Sequence, residues 1–143
     1  MSLVLLVEDD HDLRSLLTQS LAYFGHFEVV GVADGITGLE QSLKLSPACV
    51  VIDIKMPGLD GYELVRALRG DEQTASIPLI ILTALDEYHN RFIGLASGAD
   101  RYLQKPVKPQ DLVQAIREVI QIDKPARLRQ LNALIDEREM RDE

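Results

Sequence analysis

Short apolar runs alternate with longer amphipathic stretches along this chain. Three of the runs are nearly continuous in Val, Ile and Leu, which is typical of parallel strands that are covered on both faces. Turn-forming residues and charges separate the runs from the stretches that follow them. Strands are predicted at Leu3 to Val7, Phe27 to Val32, Ala48 to Asp53, Leu79 to Thr83 and Arg101 to Gln104.

Each strand is followed by a stretch in which hydrophobic residues recur at spacings of three and four, the period of a helix packed on a sheet. Asp10 and Asp60 directly precede two of these stretches and are predicted to cap them, because a carboxylate accepts the free amides of a first helical turn. The predicted stripes are Leu13, Leu16, Leu17, Leu21 and Phe24; Ile36, Leu39 and Leu43; Leu64, Ala67 and Leu68; Phe92, Leu95 and Ala96; and Leu112, Ile116, Val119 and Ile120.

The alternation of strand and helix predicts an α/β fold, a doubly wound sheet of five parallel strands with helices on both faces. Right-handed crossovers between parallel strands produce this arrangement. In such a sheet, ligands bind at the carboxyl ends of the strands, near the point where the winding reverses. Polar residues at the strand ends therefore indicate function.

Acidic, hydroxyl and basic side chains occupy these strand ends. The first strand leads into Glu8-Asp9-Asp10, the third ends in Asp53, the fourth in Thr83, and Lys105 follows the fifth. Carboxylates gathered within several Å repel each other, so either one of them holds a proton or a cation lies among them. Mg²⁺ suits oxygen ligands of this kind. Taken alone, the acidic triplet is explained equally well as the capping turn of the first helix.

Four segments at these strand ends resemble response-regulator receiver domains. The likeness covers about Leu3 to Gln121 and implies a flavodoxin-like sheet with the strand order 2-1-3-4-5. It is carried by Val7-Glu8-Asp9-Asp10, Asp53-Ile54-Lys55-Met56-Pro57-Gly58-Leu59-Asp60-Gly61, Thr83-Ala84 and Lys105-Pro106.

The resemblance implies a phosphorylation switch in two-component signalling. Asp53 would accept a phosphoryl group from a sensor histidine kinase or a phosphotransfer protein. Glu8, Asp9, Asp53 and the backbone carbonyl of Lys55 would hold Mg²⁺. The domain would act as a phospho-acceptor that assists its own phosphorylation and dephosphorylation, rather than as an enzyme.

The same resemblance implies roles for residues of the last two strands. Thr83 and Lys105 would assist phosphoryl transfer, and a cis peptide bond before Pro106 would aim the Lys105 ammonium into the acidic cluster. Thr83 would turn toward the new phosphoryl group, and Tyr102 would fill the space that it leaves. This rearrangement would change the face formed by the fourth helix, fifth strand and fifth helix, which is also a candidate surface for a homodimer.

The sequence changes character after Ile122. Asp123-Lys124-Pro125 interrupts the pattern, and the predicted domain therefore covers residues 1–122, with an extension at 123–143. A short leucine stripe among mixed charges predicts a further helix there, at Leu128, Leu131, Leu134 and Ile135. This helix could pair two copies and lead into an effector, dock on its own domain, or fray.

Composition narrows the partners and the compartment. With 15 basic and 23 acidic residues, the net charge of −8 disfavours binding to nucleic acid or to an anionic membrane. No apolar run approaches the roughly 20 residues of a membrane span, and no basic flank marks a signal peptide. The one cysteine, Cys49, lies in an apolar run and is interpreted as a core residue. A cytoplasmic protein is expected.

Two alternatives to the switch remain open. A phosphatase of the aspartate-nucleophile type uses a similar strand-end aspartate, but it requires a second aspartate two residues later, where this chain has Lys55. A docking module would use the same fold without being phosphorylated. Binding of acetyl phosphate or beryllofluoride would separate the switch from the docking module.

Overall fold

The computed structural model describes residues 1–56, 58–84 and 98–121. These residues form one sheet of five parallel strands in the order β2-β1-β3-β4-β5, which confirms the predicted fold class and strand order. Two strands begin one residue later than predicted. The strands are β1 at Leu3–Val7, β2 at Glu28–Val32, β3 at Cys49–Asp53, β4 at Leu79–Thr83 and β5 at Arg101–Gln104.

Four of the predicted helices lie in the described ranges. They are α1 at His11–Gly25, α2 at Gly35–Leu45, α3 at Gly61–Gly70 and α4 at Pro109–Ile120. The label α4 therefore belongs to the fifth helix of the prediction, since the predicted helix at Phe92, Leu95 and Ala96 lies outside the described residues. The extension at 123–143 lies outside them as well, and the domain boundary stays a prediction.

The sheet separates two hydrophobic cores. On one face, α1 and α4 pack together over side chains such as Leu6 and Val51. On the other face, α2 and α3 cover a second set that includes Val7 and Ile52. Every residue of β3 and β4 is buried, as the continuous apolar runs predicted. Within the described ranges, no helix combines the length and the apolar character that crossing a membrane requires.

The predicted helix faces need correction at α1 and α2. Leu16 is 57% exposed and Ile36 is 59% exposed, although both belonged to stripes expected to pack on the sheet. In α1 the buried side chains are Leu17 and Leu21, one turn apart, and Leu16 lies about 100° around the helix from Leu17. In α2 the buried residues are small, namely Gly35, Gly38 and Ser42, whereas Leu39 of the predicted stripe packs partly buried against the core.

Aspartates begin three of the helices. Asp10 accepts hydrogen bonds from the amides of Asp12 and Leu13, and Asp60 forms a reciprocal capping box with Glu63, so both predicted caps are confirmed. Asp34 caps α2 in the same way, without having been predicted. The caps fix where each helix starts after the strand edge that carries the polar residues.

A buried ion pair joins α3 to the segments that enter β4 and β5. Arg69 lies 3.1 Å from the Asp100 carboxylate, and both side chains are almost fully buried. The Arg69 guanidinium also donates to the carbonyls of Gly98 and Ala75. Asp100 in turn accepts from the amide of Leu79 at 2.8 Å. Every charge in this network therefore has hydrogen-bond partners, which burial demands.

We expect Arg69→Ala to lower the free energy of unfolding by about 3–5 kcal/mol, because it leaves the Asp100 carboxylate buried without its cation. Urea denaturation measures this loss. Arg101→Ala is the matched control, since it breaks the exposed Arg101–Glu118 pair and should change stability little. Equal losses for the two variants would contradict the importance assigned to the buried pair.

Candidate functional site

Strand alternation directs three charged side chains to the same face of the sheet. Each lies two residues beyond an apolar residue of the core beneath α1 and α4, and side chains two apart on a strand share a face. The carboxyl ends of β1, β3 and β5 bring the three together, although β5 is separated from β3 by β4. The pairs are Glu8 after Leu6, Asp53 after Val51 and Lys105 after Leu103.

The Lys105 ammonium lies between two of the predicted carboxylates. Its Nζ is 3.0 Å from Glu8 Oε1 and 3.0 Å from Asp53 Oδ1. Asp9 completes the cluster, because Glu8, Asp9 and Asp53 each offer an oxygen within 4.8 Å of the others. Asp10 is occupied elsewhere as the cap of α1. The structure thus assembles four predicted site residues and assigns the third acid of the triplet to helix capping.

The cluster holds more negative than positive charge. Burial, assisted by the neighbouring Asp53 carboxyl, raises the pKa of Glu8 to about 7, against the opposing effect of Lys105. Burial would lower the pKa of Lys105, but its hydrogen bonds to Glu8 and Asp53 outweigh this and raise that pKa. One ammonium does not balance three carboxylates, so the cluster can accept a further cation. Mg²⁺ prefers oxygen ligands such as these.

The backbone around Asp53 is tightly held. The amide of Ile54 donates to the carbonyl of Leu82 at 3.1 Å, and the amide of Gly61 donates to Ile54 at 3.0 Å. A Cβ on Gly61 would lie 2.6 Å from the carbonyl oxygen of Asp53, so only glycine lets α3 start this close to β3. This contact between α3 and β3 was not predicted.

Thr83 and Tyr102 belong to the opposite face of the sheet. Ile81 and Tyr102 are partners in the β4–β5 register and pack in the core beneath α2 and α3, and Thr83 lies two residues beyond Ile81. Thr83 is buried, and its hydroxyl donates to the Ala84 carbonyl at 3.2 Å. The Tyr102 hydroxyl is buried with no hydrogen-bond partner among the described residues.

Two further predicted features flank the cluster. The Lys105–Pro106 peptide bond is cis, which is the isomer that the resemblance implied. The Lys105 amide donates to the Thr83 carbonyl at 2.7 Å, so the end of β5 is fixed to the end of β4. Lys55 lies two residues beyond Asp53 with an exposed side chain, and its backbone carbonyl stays a predicted ligand.

An apolar groove of about 490 Å³ adjoins the charged cluster and was not predicted. It runs between α1 and the segment after β5, and the Lys105 side chain forms part of its wall. The exposed Leu16 lines the groove. Its position on α1, outside the line of the buried Leu17 and Leu21, is the sequence signal that could have indicated an exposed apolar side chain here. Its lining among the described residues is Leu13, Leu16, Leu17, Leu82, Ala84, Lys105, Pro106, Val107 and Pro109.

Comparison with known proteins agrees with this geometry. The family model of the response regulator receiver domain matches residues 4–117. The chain belongs to the response-regulator receiver family. Receiver domains are the phospho-acceptor modules of two-component signalling. Family membership therefore supports a role in phosphorylation-dependent signalling.

Individual relatives extend the comparison. Response regulator MprA of Mycobacterium leprae is 39% identical over 124 residues, which are 85% of this chain and 52% of that protein. The chain spans about half the length of the curated relatives it matches. The receiver domain of the Francisella response regulator 1452 has a TM-score of 0.78 at 31% identity, covering 85% of this chain and 98% of that one.

A second similar structure was solved with a metal bound. The receiver domain of the sensor histidine kinase PA1611 from Pseudomonas aeruginosa has a TM-score of 0.76 at 29% identity. The alignment covers 85% of this chain and 98% of that one. That structure contains a magnesium ion coordinated in its active-site cleft.

The raised pKa of Glu8 predicts a pH dependence of stability in metal-free buffer. Folded Glu8 retains a proton up to about pH 7, whereas unfolded Glu8 loses it near 4.5. The stabilisation from this proton is therefore fully present below pH 4.5 and is lost as the pH rises through 7. We expect the stability of the wild-type chain, relative to Glu8→Gln, to fall over this range.

Urea denaturation in a chelator, from about pH 4.5 to about pH 8, measures this difference. Glu40→Gln serves as the control, because Glu40 lies exposed on α2 away from the cluster. Parallel stability curves for the wild type and Glu8→Gln would contradict the raised pKa.

Proposed function

We propose that this domain is a phosphorylation switch in which Asp53 accepts a phosphoryl group from the phosphohistidine of a sensor histidine kinase or a phosphotransfer protein. The observation that supports this most strongly is the 3.0 Å contact between Asp53 and Lys105 at the carboxyl edge of the sheet. A carboxylate poised beside a cation at this edge can approach phosphorus while the charge on the phosphoryl group is neutralised.

In the proposed transfer, a carboxylate oxygen of Asp53 forms a bond to phosphorus as the bond from phosphorus to the donor imidazole nitrogen breaks. The imidazole leaves with the electron pair of that bond. Little covalent help is needed, since phosphoryl transfer depends mainly on positioning and charge neutralisation. Lys105 neutralises one phosphoryl oxygen. Later attack by water on the acyl phosphate returns Asp53 to its free carboxylate, which ends the signal.

The donor set fits Mg²⁺ as the cofactor of this step. Glu8, Asp9 and Asp53 supply converging carboxylate oxygens, and the carbonyl of Lys55 is the proposed backbone ligand. The ion would supply positive charge to the phosphoryl oxygens. Lys105 already contacts Glu8 and Asp53, so this chain provides its own cation on one side of Asp53. The magnesium ion in the related PA1611 domain supports the assignment.

The proposed output starts at Thr83. Its hydroxyl bonds only weakly, at 3.2 Å, to the adjacent Ala84 carbonyl, and it can turn toward a phosphoryl group on Asp53. Tyr102 then moves toward the space that Thr83 leaves. This takes its hydroxyl out of a buried position where it has no hydrogen-bond partner among the described residues. This change biases a two-state packing arrangement, as a switch requires. The face affected includes β5 and α4, and a homodimer through it or through the 123–143 extension is the proposed consequence.

The phosphorylation step predicts that Asp53→Asn abolishes phosphoryl uptake. Incubation with acetyl phosphate and Mg²⁺, followed by intact-mass measurement, should add one phosphoryl group to the wild-type chain and none to the variant. Asp111→Asn, at an exposed acid in the first turn of α4, should be phosphorylated normally. Uptake by Asp53→Asn would rule out this acceptor, and failure of the wild type to bind either acetyl phosphate or beryllofluoride would favour the docking module.

The apolar groove beside Lys105 supports docking of the phosphohistidine-bearing partner there. We expect Leu16→Asp to slow phosphoryl transfer from a cognate kinase by about tenfold or more, as for an apolar side chain at the centre of an interface. Transfer from acetyl phosphate should be unchanged, because this small donor does not need the groove.

Ile36→Asp is the matched control for this variant. Ile36 is as exposed as Leu16, but it lies on α2, on the other face of the sheet. Equal slowing by both variants, or loss of acetyl phosphate reactivity in Leu16→Asp, would contradict the docking assignment.

A further inference from the structure

Arg14 on α1 reaches back to the backbone that carries two acids of the cluster. Its Nη1 donates to the carbonyl of Glu8 at 2.8 Å and lies 3.5 Å from the carbonyl of Asp9. Its Nη2 is 3.1 Å from the Nδ1 of His11. One guanidinium therefore bridges the peptide groups that follow Glu8 and Asp9.

Gly31 in β2 leaves space for the Arg14 side chain. A Cβ on Gly31 would lie 3.1 Å from Cγ and 3.2 Å from Cδ of Arg14, closer than ordinary side-chain contact. Glycine weakens a strand because it adds no packing, so its place here calls for a reason. The close approach of the Arg14 stem, with the Thr18 hydroxyl oxygen 3.3 Å from the same Cβ position, supplies that reason.

We propose that Arg14 is a positioning residue for the metal-binding acids, an inference that rests on the proposed function of the site. The strand-end turn is held from several directions. The Glu8 amide donates to Val32 at 3.0 Å, and the Asp10 amide donates to Glu8 Oε2 at 3.3 Å. Arg14 adds the bonds that fix the carbonyl side of this turn. Acids held in place lose less freedom when they bind a cation, and binding is correspondingly tighter.

If Arg14 acted only through its charge, its removal would have the opposite effect on Mg²⁺ affinity from the one that positioning predicts. Its guanidinium is permanently positive, so as a bystander it would repel a divalent cation from the nearby carboxylates. If repulsion were its whole effect, Arg14→Ala would bind Mg²⁺ more tightly than the wild type. If positioning dominates, the same variant binds Mg²⁺ more weakly. The direction of the change therefore separates the two roles.

Calorimetric titration of Mg²⁺ into the full chain provides the test. We expect Arg14→Ala to weaken binding by about tenfold, the lower end of losses for residues that orient metal ligands. Arg14→Lys keeps the charge but lacks the planar fork, and it should restore only part of this loss. Arg66→Ala, at an exposed arginine on α3, makes the same change in net charge and should bind as the wild type does.

Gly31→Ala tests the same contact from the other side, without changing any charge. The added methyl group displaces the Arg14 stem, so this variant should also bind Mg²⁺ more weakly. In the double variant of Arg14→Ala and Gly31→Ala, the second change should add little, because both act through one contact. In metal-free buffer, faster hydrogen exchange at the Asp10 amide is expected for Arg14→Ala, since its bond to Glu8 loosens.

Unchanged or tighter Mg²⁺ binding by Arg14→Ala, with a wild-type chain that binds the ion, would overturn the role of Arg14 alone. Absence of Mg²⁺ binding by the wild-type chain would instead overturn the metal part of the proposed function, and the role of Arg14 with it. Additive losses in the double variant would also count against the inference, because they would separate Gly31 from Arg14.

Discussion

The placement of one ammonium among three carboxylates is the constraint on which this site depends. Lys105 contacts both Glu8 and Asp53 at 3.0 Å, yet burial, together with the neighbouring Asp53 carboxyl, keeps the pKa of Glu8 raised. Such crowding persists only where the backbone cannot relax. β1 and β3 are buried on both faces, and strands of this kind hold their ends rigidly enough to keep like charges close.

Much of this arrangement could be predicted from the sequence because it follows from two regular periods. The strand period of two directs Glu8, Asp53 and Lys105 to one face, and the alternation of strand and helix brings their strands to one edge. The same period places Thr83 on the other face, with Tyr102. These features need no knowledge of side-chain packing, which explains why the strand bounds and the cluster of acids agree closely with the structure.

Apart from the local Asp34 cap of α2, the features that escaped prediction depend on contacts between elements. The periodicity of α2 suggested that Ile36 and Leu43 are buried, whereas its small residues face the sheet, because β1 side chains such as Val7 occupy the space. The starting point of α3 against Asp53 depends on the missing side chain of Gly61. A glycine looks the same in sequence whether it serves a turn or a close approach, so only the folded geometry separates the two.

The two faces of the sheet give the proposed switch a physical route. In the proposed switch, charge would change at Asp53 on the face of α1 and α4, whereas Thr83 and Tyr102 lie on the face of α2 and α3. The backbone bond from the Lys105 amide to the Thr83 carbonyl, at 2.7 Å, joins the two sides. A new phosphoryl group would draw both the Lys105 ammonium and the Thr83 hydroxyl, so the response must pass between faces at this strand edge. The rigid strands beneath it would confine the movement to the side chains at this edge.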